Sequence, residues 1–467
     1  MWDYLLSLIT VYLLVAVAGG VHVLLYKRNS RSAFGWLGLI ILFPIAGALL
    51  YALFGVNRVR RKARRISLRV GHEGGYRKPE VASASGACLE QVGKNVTRLE
   101  LTAGNRVGIC HNGEEAFPAM LEAIDAARRE VLLSSYIFDN DATGRAFTDA
   151  LARARQRGCR ICVLIDDVGI RYSFPTIVRE LKKQGLPFRR FMPLQLLPPR
   201  LSINLRTHRK LLIADRSVTF AGGMNIGDRQ LFHGSSRRRA SDLHFRFDGP
   251  INAQFVDLFA EDWKFAGGAP LDDESDEEPA SQAAGEAACR LISDGPDETL
   301  DALMLVIMGA IASARRRAWI MTPYFLPERQ MMGCLQAAAL AGVDLQVMIP
   351  QRNNWPLVQW ALQHNMAEML DLGVRILQRP PPLAHSKCLI IDEAYALVGS
   401  ANFDPRSLRL NFELGIEVFD PALNQKLAAH FEHQAADCTP YTQKMLLDRG
   451  TLTRLRDAGA ALFGPYL

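Results

Sequence analysis

The sequence predicts an α/β protein: two tandem α/β domains related by a pseudo-two-fold, preceded by a two-helix transmembrane hairpin. Three observations carry that expectation. One motif occurs twice with the same internal spacing. The apolar runs around each copy also follow the same order. Ahead of both copies stand two long apolar segments.

The apolar segments come first in the chain. Residues 4–26 are almost wholly apolar, and so are 33–56 apart from a few glycines. Each has the length of a membrane-spanning helix, which needs about 20 residues. A cleaved signal peptide fits poorly: the only early charge is Asp3, the apolar stretch is too long, and a second one follows at once. Trp2, Tyr4, Tyr26, Trp36 and Tyr51 lie near the segment ends, where amphipathic rings favour the membrane interface. Lys27, Arg28 and Arg31 sit in the connection. A larger basic run follows the second segment: Arg58, Arg60, Arg61, Lys62, Arg64, Arg65 and Arg69. By the positive-inside rule the larger cluster wins, so both termini and the globular part are expected in the cytoplasm. The same run suits anionic lipid headgroups, at about 1 kcal/mol per charge.

The expected boundaries follow. The hairpin is 1–56, and a basic juxtamembrane segment and linker is 57–105. Within it, residues 70–100 show no sustained period and read as loosely structured. Asn112-Gly113 reads as a hairpin turn. The first domain is 106–266. Helical spacing at Phe117, Met120, Leu121, Ile124 and Ala127 leads into a strand from Glu130, a helix from Phe147, a strand from Cys159 and a helix from Ile177. This alternation predicts a mostly parallel sheet with helices on its faces. Residues 267–287 form an acidic linker containing Asp272, Asp273, Glu274, Asp276, Glu277 and Glu278. The second domain, 288–445, repeats the order: Ala127 to Phe138 pairs with Ala314 to Phe325, and Arg157 to Ile165 with Ala341 to Ile349. Residues 446–467 form a C-terminal helix or tail. Leu452, Leu455 and Leu462 there have roughly helical spacing, which suits a core-capping helix first and a weak interfacial one second.

Half the chain is apolar and the formal charge is +7, which suits a large core with a basic region. The eight cysteines are scattered. Cys159 and Cys162 lie on one strand, where residues three apart face opposite ways, so they share neither a metal nor a disulfide. No Cys/His cluster has zinc spacing, and reduced thiols are expected.

The duplicated motif carries the chemistry. His208 and Lys210 are followed, after four intervening residues, by Asp215 and, after six more, by Gly222-Gly223-Met224-Asn225. His385 and Lys387 are followed at the same spacing by Asp392 and by Gly399-Ser400-Ala401-Asn402. Leu211 to Ile213 and Leu389 to Ile391 read as strands. Residues two apart on a strand share a face, so each imidazole stands beside an ammonium, a natural grip for a phosphate. Asp215 and Asp392 have the opposite parity and face elsewhere. Gly223 permits close backbone approach, and Asn225, Asn402 and Ser400 can donate to phosphate oxygens. Two facing half-sites supply two histidines, one to attack phosphorus and one to protonate the leaving alkoxide.

At these positions the chain resembles the phospholipase D superfamily, and within it the bacterial cardiolipin synthases. The apolar hairpin with Trp36, Pro44, Gly47, Tyr51 and Gly55 is similar to that family's amino-terminal region. So are Asp262-Trp263, Ser293-Asp294-Gly295-Pro296-Asp297 and Thr322-Pro323-Tyr324-Phe325-Leu326-Pro327. The run Asn402-Phe403-Asp404-Pro405-Arg406-Ser407, followed by Asn411-Phe412-Glu413, is the most telling. The family often has a Trp near Asp242, where this chain has Ala240-Ser241-Asp242.

The resemblance implies phospholipase D-like α/β sandwich domains. It also implies transfer of a phosphatidyl group from one phosphatidylglycerol to another through a phosphohistidine, giving cardiolipin and glycerol. Lys210, Lys387, Asn225 and Asn402 would hold the phosphate oxygens. Asp242 and Glu413 would orient the histidines. Asp215 and Asp392 belong to the family's motif, with a supporting role by their parity. His208 would be the nucleophile. Neither metal nor cofactor is implied, because cationic side chains neutralise the phosphate. The partners implied are phosphatidylglycerol and anionic membrane lipid; nucleic acid is not, since a membrane hairpin confines the site near lipid. The sequence leaves two other readings open: a membrane-bound hydrolase using the same site, and a scaffold with a degenerate site.

Overall fold

The computed structural model describes residues 2–27, 30–55, 87–193, 205–233, 239–271, 282–295 and 301–464. The basic run from Arg58 and the acidic run from Asp272 lie outside these residues. The chain divides into two compact units, Met1–Glu73 and Gly74–Leu467.

In the first unit, apolar residues without breakers form a helix from Trp2 to Tyr26. The second apolar segment, expected as one span, is divided. A helix Ser30–Leu42 ends at Phe43, which leaves helical geometry (φ −139°, ψ 70°), and a short helix Pro44–Leu50 begins. Pro44 has no N–H to continue the ladder and fits only at a helix start. At 1.5 Å per residue the Ser30–Leu42 helix covers about 20 Å, short of a hydrocarbon core of about 30 Å. Among the described residues, no helix is long and apolar enough to cross a membrane. Gly47 makes the return tight: a Cβ there would stand 2.5 Å from the Leu39 carbonyl oxygen. Val23, Ile40 and Tyr51 are buried within the unit, while Leu13, Leu24, Phe34, Ile41 and Ile45 stay exposed.

Among the described residues, the second unit is built on one continuous fifteen-stranded sheet and a separate parallel pair of short strands, one from each half. Its first half contributes β1 (Thr102–His111), β2 (Glu130–Ser135), β3 (Arg160–Asp166), β4 (Phe188–Phe191), β5 (Leu211–Ala214), β6 (Val218–Gly222), β7 (Ala240–Ser241) and β8 (Leu243–Asp248). The second half contributes β9 (Ala287–Asp294), β10 (Arg317–Met321), β11 (Asp344–Pro350), β12 (Arg375–Arg379), β13 (Leu383–Ala384), β14 (Cys388–Ile391), β15 (Tyr395–Gly399), β16 (Glu413–Phe419) and β17 (Thr439–Pro440). Outward from the β1/β9 seam the order is β1-β8-β6-β5-β2-β3-β4 on one side. On the other it is β9-β16-β15-β14-β10-β11-β12, with β17 at the edge. The two halves are thus repeats in strand order, as a tandem duplication requires.

The sheet is not mostly parallel. Parallel pairing is confined to β2-β3-β4 and β10-β11-β12. The reason lies in the motif itself: its two apolar runs form the hairpins β5-β6 and β14-β15, and a tight turn can join only antiparallel neighbours. Each half keeps its own core. Val131, Val163 and Leu212 pack in the first, and Ile320, Val347 and Leu389 in the second. Strands such as β3, covered on both faces, read as unbroken apolar runs for that reason.

Three local details differ from expectation. Residues 87–97, taken with the linker, form a helix, and the Arg290 guanidinium donates to its Glu90 carbonyl (2.8 Å). Asn112-Gly113 opens the helix Asn112–Ala126 instead of a hairpin; Asn112 is tied to Asp242 through N–H to carbonyl (2.9 Å) and through its side-chain oxygen (3.0 Å). At the C-terminus, the helix Thr451–Ala461 docks through Asp457 and Ala460, with Arg456 over the Trp360 ring at 4.5 Å. The segment thus caps the core as a helix, but through Asp457 and Ala460, while Leu452, Leu455 and Leu462 are exposed.

Candidate active site

The two motif copies meet across the halves. The His208 N–H donates to the Phe412 carbonyl and the Phe412 N–H to the Arg206 carbonyl, both at 2.8 Å. Symmetrically, the His385 N–H donates to the Ser241 carbonyl at 2.8 Å, and β13 pairs with β7. Each histidine is therefore held by backbone of the opposite half. The residues entering β5 alternate as an extended chain must. Arg209 points away, into Asp262 (2.6 Å), Ser293 (2.7 Å) and the Glu413 carbonyl (3.0 Å), which leaves His208 and Lys210 on the other face.

The carboxylates cross over as well. Nδ1 of His208 lies 2.9 and 3.1 Å from the two Glu413 oxygens. Nδ1 of His385 lies 2.7 Å from Asp242 Oδ2. A carboxylate at Nδ1 keeps the proton there and leaves the lone pair on Nε2; in the second half Lys387 Nζ lies 3.3 Å from His385 Nε2. Both rings remain 13% exposed while both carboxylates are fully buried.

Burial pushes His208 down to about 4, with Glu413 opposing and Lys210 and Lys387 reinforcing the shift. Burial likewise lowers His385, helped by Lys387 and Lys210 and opposed by Asp242. Each histidine thus feels the other half's lysine, as one shared site requires. Burial takes Lys210 down to about 7 and Lys387 to about 8, against the pull of Glu413 and Asp242. Both ammonium groups also donate to the carbonyl of their own histidine.

Asn225 accepts from the Ile137 N–H at 3.0 Å, which leaves its NH2 as the donor end. Asn402 donates to Ser407 Oγ at 3.1 Å, and its Oδ1 is buried without a partner among the described residues.

Ser400 and Gly223, expected at the phosphate, each stand beside a histidine's carboxylate. Ser400 Oγ is buried; it donates to Glu413 and accepts from the Leu414 N–H (3.0 Å), so it braces the carboxylate. Gly223 holds the equivalent place in the first half, where a Cβ would stand 2.6 Å from Asp242 Oδ1. The difference between the copies is thus steric. Gly223→Ser is expected to displace Asp242 and cut turnover about a hundredfold or more, as loss of a catalytic base or its support does. Ser400→Gly removes one hydroxyl and should cost far less. Steady-state kinetics on the two variants checks this; equal losses would refute the steric account.

Asp215 and Asp392, counted with the catalytic motif, stand at the far ends of β5 and β14. The Asp215 carboxylate accepts from three successive N–H groups, of Arg128, Arg129 and Glu130 (2.8, 2.8 and 2.9 Å). Asp392 accepts from those of Arg315, Arg316 and Arg317 (3.1, 2.8 and 3.1 Å). Both occupy left-handed turns (φ 51° and 45°). They pin the starts of β2 and β10 and take no part in the histidine pair.

Other residues join the site without having been singled out for it. The Tyr136 ring packs edge-on against His208 (5.1 Å between centroids), with Lys210 Nζ 5.5 Å from its centre. Arg406 is half-buried, and its charge acts on Tyr136, Tyr324 and buried Asp404. Asp404 caps the helix Pro405–Arg409 through the Ser407 N–H (2.7 Å), and burial pushes it up to about 7. The Asn402–Ser407 run was the available signal, but its spacing does not say which member faces the histidines.

Comparison with known proteins bears on the family and the fold. The family described as cardiolipin synthase, PLD-like domain, matches residues 120–263 and 307–435. A second, described as phospholipase D-nuclease N-terminal, matches residues 8–55. Cardiolipin synthase A of Pseudomonas aeruginosa (strain LESB58) is 30% identical over 464 residues, covering 96% of this chain and 93% of that protein. A cardiolipin synthase of Staphylococcus aureus (strain Mu50) is 28% identical over 458 residues, covering 94% and 92%. Among solved structures, the phosphatidylserine synthase of Haemophilus influenzae shares the fold, with a TM-score of 0.61 at 14% identity, covering 81% of this chain and all of that one.

Proposed function

The chain belongs to the family of cardiolipin synthases with PLD-like domains, and from that premise we propose that it transfers a phosphatidyl group between two phosphatidylglycerol molecules through a phosphohistidine. The observation that carries the reading is the crossed pair of histidines, each with Nδ1 on a carboxylate of the opposite half, beside two buried lysines. In this reading, the two domains of 106–266 and 288–445 each supply half of the machinery.

His208 Nε2 attacks phosphorus. The bond from phosphorus to the headgroup glycerol breaks, and protonated His385 gives its proton to the departing oxygen, releasing glycerol. Neutral His385 then takes the proton from a hydroxyl of the second phosphatidylglycerol. That oxygen attacks phosphorus, the P–N bond breaks, and His208 is regenerated with cardiolipin as product. Lys210 and Lys387, with the amide groups of Asn225 and Asn402, stabilise the charge that builds on the phosphoryl oxygens. The arriving phosphate anion favours the protonated form of His385, which burial alone opposes.

Arg406, whose charge acts on Tyr136, suits the same anion. The exposed apolar residues of the first unit support insertion of the helical hairpin into the bilayer. The basic run after residue 57 supports a cytoplasmic catalytic unit.

The test is incubation with labelled phosphatidylglycerol vesicles. Cardiolipin and free glycerol in equal amounts are expected; phosphatidic acid as the main lipid product would favour the hydrolase. The same assay reads the pH dependence. Raising the pH through about 7 to 8 removes the charge of Lys210 and Lys387, so kcat/KM should fall on that side. On the acid side it should hold until about 4, where His208 is protonated and loses its lone pair. A flat profile from pH 6 to 9 would refute the role given to the lysines.

A further inference from the structure

A cavity of about 360 Å3 opens between the two halves of the second unit, beside Asp242. That volume lies at the lower end of small-ligand sites, roughly 300–1,000 Å3. His111 and His233 line it from the first half, and Arg379, His430 and His433 from the second. The cavity therefore exists only where the halves meet. None of these residues enters the mechanism above.

Its lining combines one permanent cation, Arg379, and several imidazoles with one carboxylate, Asp242. The His111 and His430 rings lie 5.0 Å apart. The Arg379 guanidinium is half-buried and makes no hydrogen bond or ion pair among the described residues; burial opposes its charge, while Cys438 and Asp437 favour it. The other nearby carboxylates are engaged elsewhere. Glu114 accepts from the His233 N–H (2.8 Å), Glu115 from the His111 N–H (2.8 Å), and Asp242 holds His385. The helix Asn112–Ala126 begins at the cavity wall and adds the positive end of its dipole. Among the described residues, no group of side chains is arranged to hold a metal ion.

We propose that this cavity is a second anion site, which binds a phosphate ester or phosphate ion between His111, His430, His433 and Arg379. Burial, together with His111, Arg379 and His433, holds His430 down to about 4 while the site is empty. A bound phosphate reverses that repulsion, so binding takes up protons and tightens as pH falls, by up to about tenfold per pH unit for each proton. Occupancy also reaches the catalytic site. Asn112, on the cavity wall, is bonded twice to Asp242, and the neighbouring Ser241 carbonyl holds the His385 N–H. The occupant thus braces the support of His385 from behind. This last effect rests on the transferase reading, whereas binding does not.

The experiment follows the histidine ring resonances of the full-length protein in nanodiscs, in a His208→Ala background that disables the catalytic pocket. Inorganic phosphate and glycerol phosphate are titrated at pH 8 and pH 6.5; separately, discs of neutral lipid are compared with discs containing phosphatidylglycerol. Saturable shifts of His111 and His430, stronger at pH 6.5 and weakened about tenfold or more in Arg379→Gln, are expected. Shifts with soluble phosphates alone identify a soluble ligand. Shifts with phosphatidylglycerol discs alone identify a lipid headgroup. The proposal is overturned if no probe gives saturable shifts, or if Arg379→Gln, with its spectrum otherwise intact, binds as tightly. His430→Gln provides the same check should Arg379→Gln fail to fold. Transferase activity of Arg379→Gln with His208 in place, measured separately, keeps the two readings apart: loss of binding with the chemistry retained, or the reverse, assigns the failure to one of them.

Discussion

His208→Ala is expected to form no phosphatidyl-enzyme with any substrate, because no other Nε2 in the site is assigned to attack phosphorus. His385→Ala should lose synthesis from phosphatidylglycerol, by roughly a thousandfold or more, since an alkoxide leaves poorly without a proton. Its nucleophile is intact, however. With an activated aryl phosphodiester, whose leaving group needs little protonation, it should still accumulate covalent enzyme slowly. The measurement is acid-quench trapping of labelled protein. Label on His208→Ala but not on His385→Ala would reverse the assignment. Equal label on both would mean that either imidazole attacks. The geometry makes the assay informative, since both rings have the same carboxylate support and the same exposure.

The second large effect tests the crossing of the carboxylates. Glu413→Gln keeps the size of the side chain but no longer fixes the Nδ1 proton of His208. An amide N–H turned towards Nδ1 would move that proton to Nε2 and block the nucleophile. The loss in kcat should approach roughly 10³- to 10⁴-fold, the scale seen when a carboxylate that orients a catalytic histidine is neutralised. Lys210 also loses its main compensating charge, so the alkaline limb of the pH profile should move to lower pH. A merely structural role would leave that limb in place. Asp242→Asn should act on His385 instead and retain label from the aryl substrate. If Glu413→Gln traps label normally and Asp242→Asn does not, the cross-pairing is not the functional one.

Much of this was legible in the chain. Identical spacing in two motif copies pointed to two half-sites, and strand parity separated His208 and Lys210 from Asp215 before any contact was known. The alternation of apolar runs located β2, β3 and their repeats to within a few residues. The direction of pairing was not legible, because an apolar run of four or five residues reads alike in a parallel and an antiparallel strand. Nor was the break at Pro44, where composition alone suggested one unbroken span.

What the sequence determined by itself is local: period, spacing, and the residue types that suit a phosphate. Those depend on neighbours a few positions apart. The tertiary structure alone decided which partners meet. Glu413 serves His208 across 205 positions, and Asp242 serves His385 across 143. Ser400 turns to a carboxylate, and at Gly223 Asp242 already fills the space of a side chain. Such pairings follow from how the two halves close on each other around the β1/β9 seam. That closure is set by the packing of whole faces, and no local stretch of sequence carries it.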